Sequence, residues 1–136
     1  MNAKLAVLVV AFVAVGLVGN AFAHKAQTIG NYNIEVGWVK EPPKVGKANA
    51  VEINMKMVKK STSKKNEVSG LAKTLQVDIN LNGKKTSLTM KEDPKKPGSY
   101  TGAYTPSGAG YPTVHLYTKI GGKDIEATFH PEKVEK

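Results

Sequence analysis

The chain has 136 residues, enough for one domain, and carries 20 basic against 11 acidic side chains, a formal net charge of +9. Every basic residue is a lysine, so bidentate arginine recognition of phosphates and base edges is excluded, and no specific nucleic-acid partner is expected. The absence of cysteine excludes disulfides, thiolate metal sites and a thiol nucleophile.

Met1 to Lys4 is a short positive segment, Leu5 to Val18 is almost wholly apolar, and Ala21-Phe22-Ala23 has the small-x-small pattern of a signal-peptide cleavage site. Residues 1–23 therefore read as a signal peptide and 24–136 as a single exported domain. Its address is periplasmic, extracellular or on the cell surface. Cleavage after Ala23 places His24 at the mature N-terminus and removes only one lysine, Lys4. The basic coat that remains has two readings. One is a solubilising surface on strand edges and loops; the other is loose attraction to an anionic cell surface.

Tyr32, Ile34, Val36 and Trp38 alternate as a first strand, which Glu41-Pro42-Pro43 ends because proline cannot continue a ladder. Val51, Ile53, Met55 and Met57 line one face of a second strand. An M-x-M pair could be a soft Cu(I) site, but on that apolar face it reads as core filling. Val58 to Gly70 is a lysine-rich loop. Leu75, Val77, Ile79 and Leu81 form a third strand, and Asn82-Gly83 is a type I′ hairpin signal leading to a fourth through Thr86, Leu88 and Met90. A fifth strand carries Tyr100 and Tyr104. Val114 to Ile120 and Ile125 to Phe129 are the sixth and seventh, joined by Gly121-Gly122. The charged tail, Pro131 to Lys136, is expected to fray.

Seven short strands without a helical period indicate an all-β fold, an immunoglobulin-like antiparallel β-sandwich. The expected core includes Trp38, Val36, Ile53, Leu75, Val77, Ile79, Tyr104, Leu116 and Phe129. The last hairpin has a testable register. Pairing Ile120 with Lys123 sets Val114 against Phe129, Leu116 against Ala127 and Thr118 against Ile125, which gathers the apolar residues on one face. His115 then opposes Thr128 and His130 opposes Thr113. The two imidazoles become diagonal neighbours, with Cα atoms about 7–8 Å apart.

The segments YNIEVGW, the EPP turn, GLAKTLQVDINLNGK and the GSYTGAYTP…GYPTVHL block resemble secreted YtkA-like and CopC-like immunoglobulin-fold domains over roughly residues 30–129. The resemblance to CopC-like proteins implies copper(II) held by a mature N-terminal histidine together with an Asp-x-His in the last interstrand turn. His24 matches the first feature. The turn departs from the second, reading Gly121-Gly122-Lys123. The YtkA-like resemblance implies no defined activity.

An N-terminal histidine chelates through its amine and its ring, and His115 and His130 would complete an all-nitrogen site for Cu(II), or less selectively Zn(II). The expected metal ligands are thus His24, His115 and His130, and the expected cofactor is copper. Asp124 and Glu126 stand near His115, either as carboxylates that orient its ring or as a solvated strand face. No catalytic constellation is present: no serine neighbours a histidine, no carboxylate pair is placed for acid–base work, and no glycine-rich loop precedes a helix. The expectation is a monomeric, non-catalytic metal-binding protein in copper trafficking or tolerance. The alternatives are a cell-surface interaction module, or an accessory domain for assembly of a membrane enzyme, partnered by an envelope protein.

Overall fold

The computed structural model describes residues 24–58 and 67–136, so the expected signal peptide and part of the lysine-rich loop lie outside the described residues. Nine strands follow in chain order: β1 (Lys25–Ile29), β2 (Tyr32–Trp38), β3 (Asn49–Met57), β4 (Gln76–Leu81), β5 (Lys84–Leu88), β6 (Met90–Glu92), β7 (Ser99–Tyr104), β8 (Thr113–Ile120) and β9 (Lys123–Phe129). They form two antiparallel sheets, ordered β1-β2-β3-β7-β6 and β5-β4-β8-β9. There is no helix among the described residues.

Period-2 alternation builds the sandwich. Ile34, Val36 and Trp38 point inward from β2, Val51, Ile53 and Met55 from β3, and Val114, Leu116 and Thr118 from β8. The β8–β9 register is the one derived above, from Val114↔Phe129 through Ile120↔Lys123. Gly121 and Gly122 (φ 57° and 80°) and Asn82 and Gly83 (φ 55° and 82°) supply the left-handed turns that both hairpins require.

Four expectations are corrected. β1 is an extra strand: its side chains are almost all exposed, so no apolar alternation announced it, and pairing with β2 defines it. The expected single strand from Thr86 to Met90 is two. Leu88 pairs with Val77 in one sheet while Met90 pairs with Gly102 in the other, so the chain changes sheets at Thr89. Within the core, Met57 is 41 % exposed because it sits at the free end of β3, and Tyr104 is only half-buried, its ring tilted against Trp38 at 6.1 Å.

The fourth correction is the tail, which is docked rather than frayed. Val134 is fully buried. Its N–H and C=O both bond Gly110, and Glu135 bonds Pro43 and Val45 on the other side. The Trp38 indole N–H donates to the Glu132 carbonyl at 2.9 Å. At the opposite end, the buried Tyr100 fastens the long loop, donating from its hydroxyl to Val68 O and accepting from Leu71 N–H.

The sheet crossover lies close over β7. A Cβ on Gly102 would stand 2.6 Å from Met90 Sδ and 3.0 Å from Leu88 Cβ. Gly102→Ala is therefore expected to destabilise the domain by about 1–3 kcal/mol through overpacking. Urea unfolding measures this, and an unchanged midpoint would mean that the crossover is loosely packed.

Candidate functional site

His24 directly precedes β1 and lies on the outer face of the five-stranded sheet. Its ring occupies the space above Gly37, where a Cβ would stand 2.6–2.9 Å from three ring atoms. The notch exists because Gly37 is at an outward-facing position of β2, between inward Val36 and Trp38. Glu52, the register partner of Gly37 on β3, also faces outward there. His24 Nε2 approaches Glu52 Oε1 at 3.3 Å. A carboxylate only accepts, so this contact places the imidazole proton on Nε2. In the neutral ring Nδ1 is then the lone-pair nitrogen, and it makes no hydrogen bond to a described residue.

Glu52 is itself held. Its Oε2 accepts from Ser99 Oγ at 3.1 Å, and Lys96 Nζ is 3.9 Å away. Ser99 is buried, so its hydroxyl has a fixed position from which to orient the carboxylate. Glu41 is close by. Burial pushes its carboxyl above the ordinary value, while a hydrogen bond from Trp38 N–H and the nearby His24 ring pull it back. The charge around His24 is thus mainly carboxylate, in a molecule that is otherwise basic.

His115 lies on the other side of the sandwich, facing outward from β8 between inward Val114 and Leu116. It opposes Asp78 on β4 and Thr128 on β9. Of its two diagonal neighbours on β9, the ring takes the carboxylate: Nε2 is 2.6 Å from Glu126 Oε2. His130 is exposed and one residue beyond β9, and the ladder ends at Val114↔Phe129, short of the expected Thr113 pairing. Pro131 follows, after which the tail turns toward Trp38. The hydroxyl of the adjacent Tyr117 donates to Asp124 at 2.8 Å, a bond that raises its ordinary value.

The structure therefore places His24 and His115 on different sheets. His24 is on the outer face of one sheet and His115 on the outer face of the other, with a core layer of roughly 10 Å between the sheets. Among the described residues, no three His, Asp or Glu side chains form a group that could hold a metal ion. Lys123 opens β9 opposite Ile120, five residues along the strand from Thr128, the partner of His115. The residues that sequence reasoning missed are Gly37, Glu52 and Ser99. Glu52 is 28 positions from His24 and 47 from Ser99, and each alone looked like an ordinary exposed or strand residue.

Comparison with models of protein families, with curated proteins and with solved structures found no match.

Proposed function

We propose that this is an exported, non-catalytic envelope protein of immunoglobulin-like type, related to the YtkA-like and CopC-like domains, that takes up one copper(II) ion at its processed N-terminus. The observation that carries this reading is the His24–Glu52 contact at 3.3 Å. A metal-binding imidazole commonly donates its other ring N–H to a carboxylate, which fixes the tautomer and raises the basicity of the ligating nitrogen. Glu52 stands in that relation to His24. With Ala23 removed, Nδ1 and the new α-amine would close a small chelate ring without ordering a separate side chain. Two nitrogen donors of this kind suit copper(II). The remaining positions would be left to water, nearby carboxylates or a partner's donors, consistent with a role in trafficking or tolerance.

The test is a copper titration monitored by electron paramagnetic resonance, on protein whose mass shows that it begins at His24. One tight copper with nitrogen hyperfine structure is expected. His24→Ala, or one extra N-terminal residue, should abolish the site. Glu52→Gln should weaken it by about 10- to 100-fold, as loss of the carboxylate that accepts from a metal-bound imidazole does. His115→Ala and His130→Ala should leave it unchanged, since they are on or beyond the other sheet. Acidification should release the metal, because amine and imidazole must lose protons to bind it. Equal binding by His24→Ala, or none below millimolar copper, would refute the site.

A second reading, docking to an envelope protein during assembly of a membrane enzyme, is favoured by Tyr111. Its ring is 77 % exposed at the tail end of the sandwich, with Lys133 Nζ 5.2 Å from its centroid. Exposed aromatic side chains are enriched where proteins meet. Co-purification with a membrane complex that Tyr111→Ser abolishes is the result this reading requires.

A further inference from the structure

The four-stranded sheet has β5 at one edge and β9 at the other, and its two hairpin turns fix what each edge presents. A two-residue turn makes its flanking residues a hydrogen-bonded pair, and bonded pairs alternate with unbonded ones from there along the ladder. Between β8 and β9 the bonded pairs are Ile120↔Lys123, Thr118↔Ile125 and Leu116↔Ala127, so the N–H and C=O of Asp124, Glu126 and Thr128 point off the sheet. A separate contact agrees with this phase: Thr128 O accepts from the Gln27 side chain at 2.6 Å. Between β4 and β5 the bonded pairs are Leu81↔Lys84, Ile79↔Thr86 and Val77↔Leu88, which leaves the N–H and C=O of Lys85 and Ser87 pointing off the other edge. No described strand pairs with either edge, and no described main-chain group bonds these four residues there: Asp124, Glu126, Lys85 and Ser87.

The side chains along the two edges carry opposite charge. Asp124 and Glu126 face outward from β9, on the same face as His115. His115 uses only Oε2 of Glu126, while Tyr117 and Lys119 both approach Oδ1 of Asp124. Each carboxylate thus keeps a second oxygen that no described residue takes up. On β5, Lys85 faces outward and its ammonium is 3.9 Å from Asp78, a loose pair on an exposed side chain. Charged side chains protect an edge by repelling a partner edge of like charge. A carboxylate edge and an ammonium edge give each other no such protection.

The topology lets these edges meet. Strand direction alternates through β5, β4, β8 and β9, so a second copy shifted along the sheet brings its β5 antiparallel to β9 of the first. One register sets Lys85 opposite Glu126 and Ser87 opposite Asp124, each pair exchanging both main-chain hydrogen bonds, with Thr86 against Ile125 on the inner face. A shift toward Thr128 runs into the Gln27 contact. Pairing β9 with β9 would set carboxylates side by side, and β5 with β5 would do the same with lysines; both are opposed by like charge.

We infer that β9 of one molecule pairs with β5 of a second copy of this chain, extending the four-stranded sheet from molecule to molecule. The contact is heterologous, so every added copy offers a fresh edge and association continues into short chains rather than stopping at a symmetric dimer. The inference uses neither copper nor a processed N-terminus, so it stands or falls apart from the reading above.

The test is sedimentation velocity of the metal-free protein over a concentration series, with Lys85→Glu and Glu126→Lys as variants. The wild-type sedimentation coefficient should rise with concentration, and the amides of Lys85, Ser87, Asp124 and Glu126 should broaden in parallel. Each single variant turns an attraction into a repulsion and should associate about tenfold more weakly. An equimolar mixture of the two should recover the wild-type rise, because every β5 in it again finds a β9 of opposite charge. Amide spectra of the variants, both changed at exposed positions, confirm that they are folded. A wild-type coefficient that stays flat to the solubility limit would overturn the proposal. So would variants that associate like wild type, a mixture no stronger than its components, or an effect of Lys85→Glu without one of Glu126→Lys.

Discussion

Leu116→Asp is expected to abolish the fold. Leu116 is fully buried, opposite Val77 on β4 and Ala127 on β9, at the centre of the four-stranded sheet's inner face. Losing a buried leucine side chain costs about 2–5 kcal/mol, and an unpaired carboxylate left in its place costs several more. A typical domain has only about 5–15 kcal/mol in all. The next residue gives the contrast. Tyr117 faces outward, and Tyr117→Ser should change stability by no more than about 1 kcal/mol. Thermal melts and amide spectra of both variants decide the matter. A Leu116→Asp protein that melts cooperatively at the wild-type Tm would show that the inner face of β8 has been misassigned.

Val134→Asp should detach the C-terminal tail. The buried valine contributes roughly 2 kcal/mol by burial alone. The substitution cannot cost more than undocking the tail, since the carboxylate escapes to water once the tail leaves. The expected loss is therefore about 2–3 kcal/mol, matched by a variant that ends at His130. Trp38, the chain's single tryptophan, reports the event because its indole N–H bonds Glu132 O. Its fluorescence should shift to the red in both variants. Urea midpoints and emission spectra equal to wild type would mean that the tail frays as its composition implies. Lys133, Glu135 and Lys136 made it read as solvated. Only Val134 is apolar enough to hint otherwise, and one residue has no period.

The same contrast runs through the molecule. Strand β2 was legible because Tyr32, Ile34, Val36 and Trp38 alternate, and the β8–β9 register because a two-glycine turn and two apolar faces agree on one pairing. β1 was not, since an exposed edge strand buries nothing that could print a pattern. The break at Thr89 was hidden for the opposite reason. Leu88 and Met90 keep the alternation while the backbone passes from one sheet to the other.

By itself, then, the sequence determined the all-β class, most strand positions, both glycine-containing hairpins and the inner faces. Each of these follows from local geometry, in which side chains alternate every second residue and glycine admits a positive φ. Tertiary structure alone decided which outer face each histidine occupies, that Gly37 opens a seat for His24, and that Ser99 steadies Glu52. It also decided that Val134 closes the end of the sandwich. These contacts join residues far apart in the chain. No local period records them, because they depend on which strands come to lie side by side.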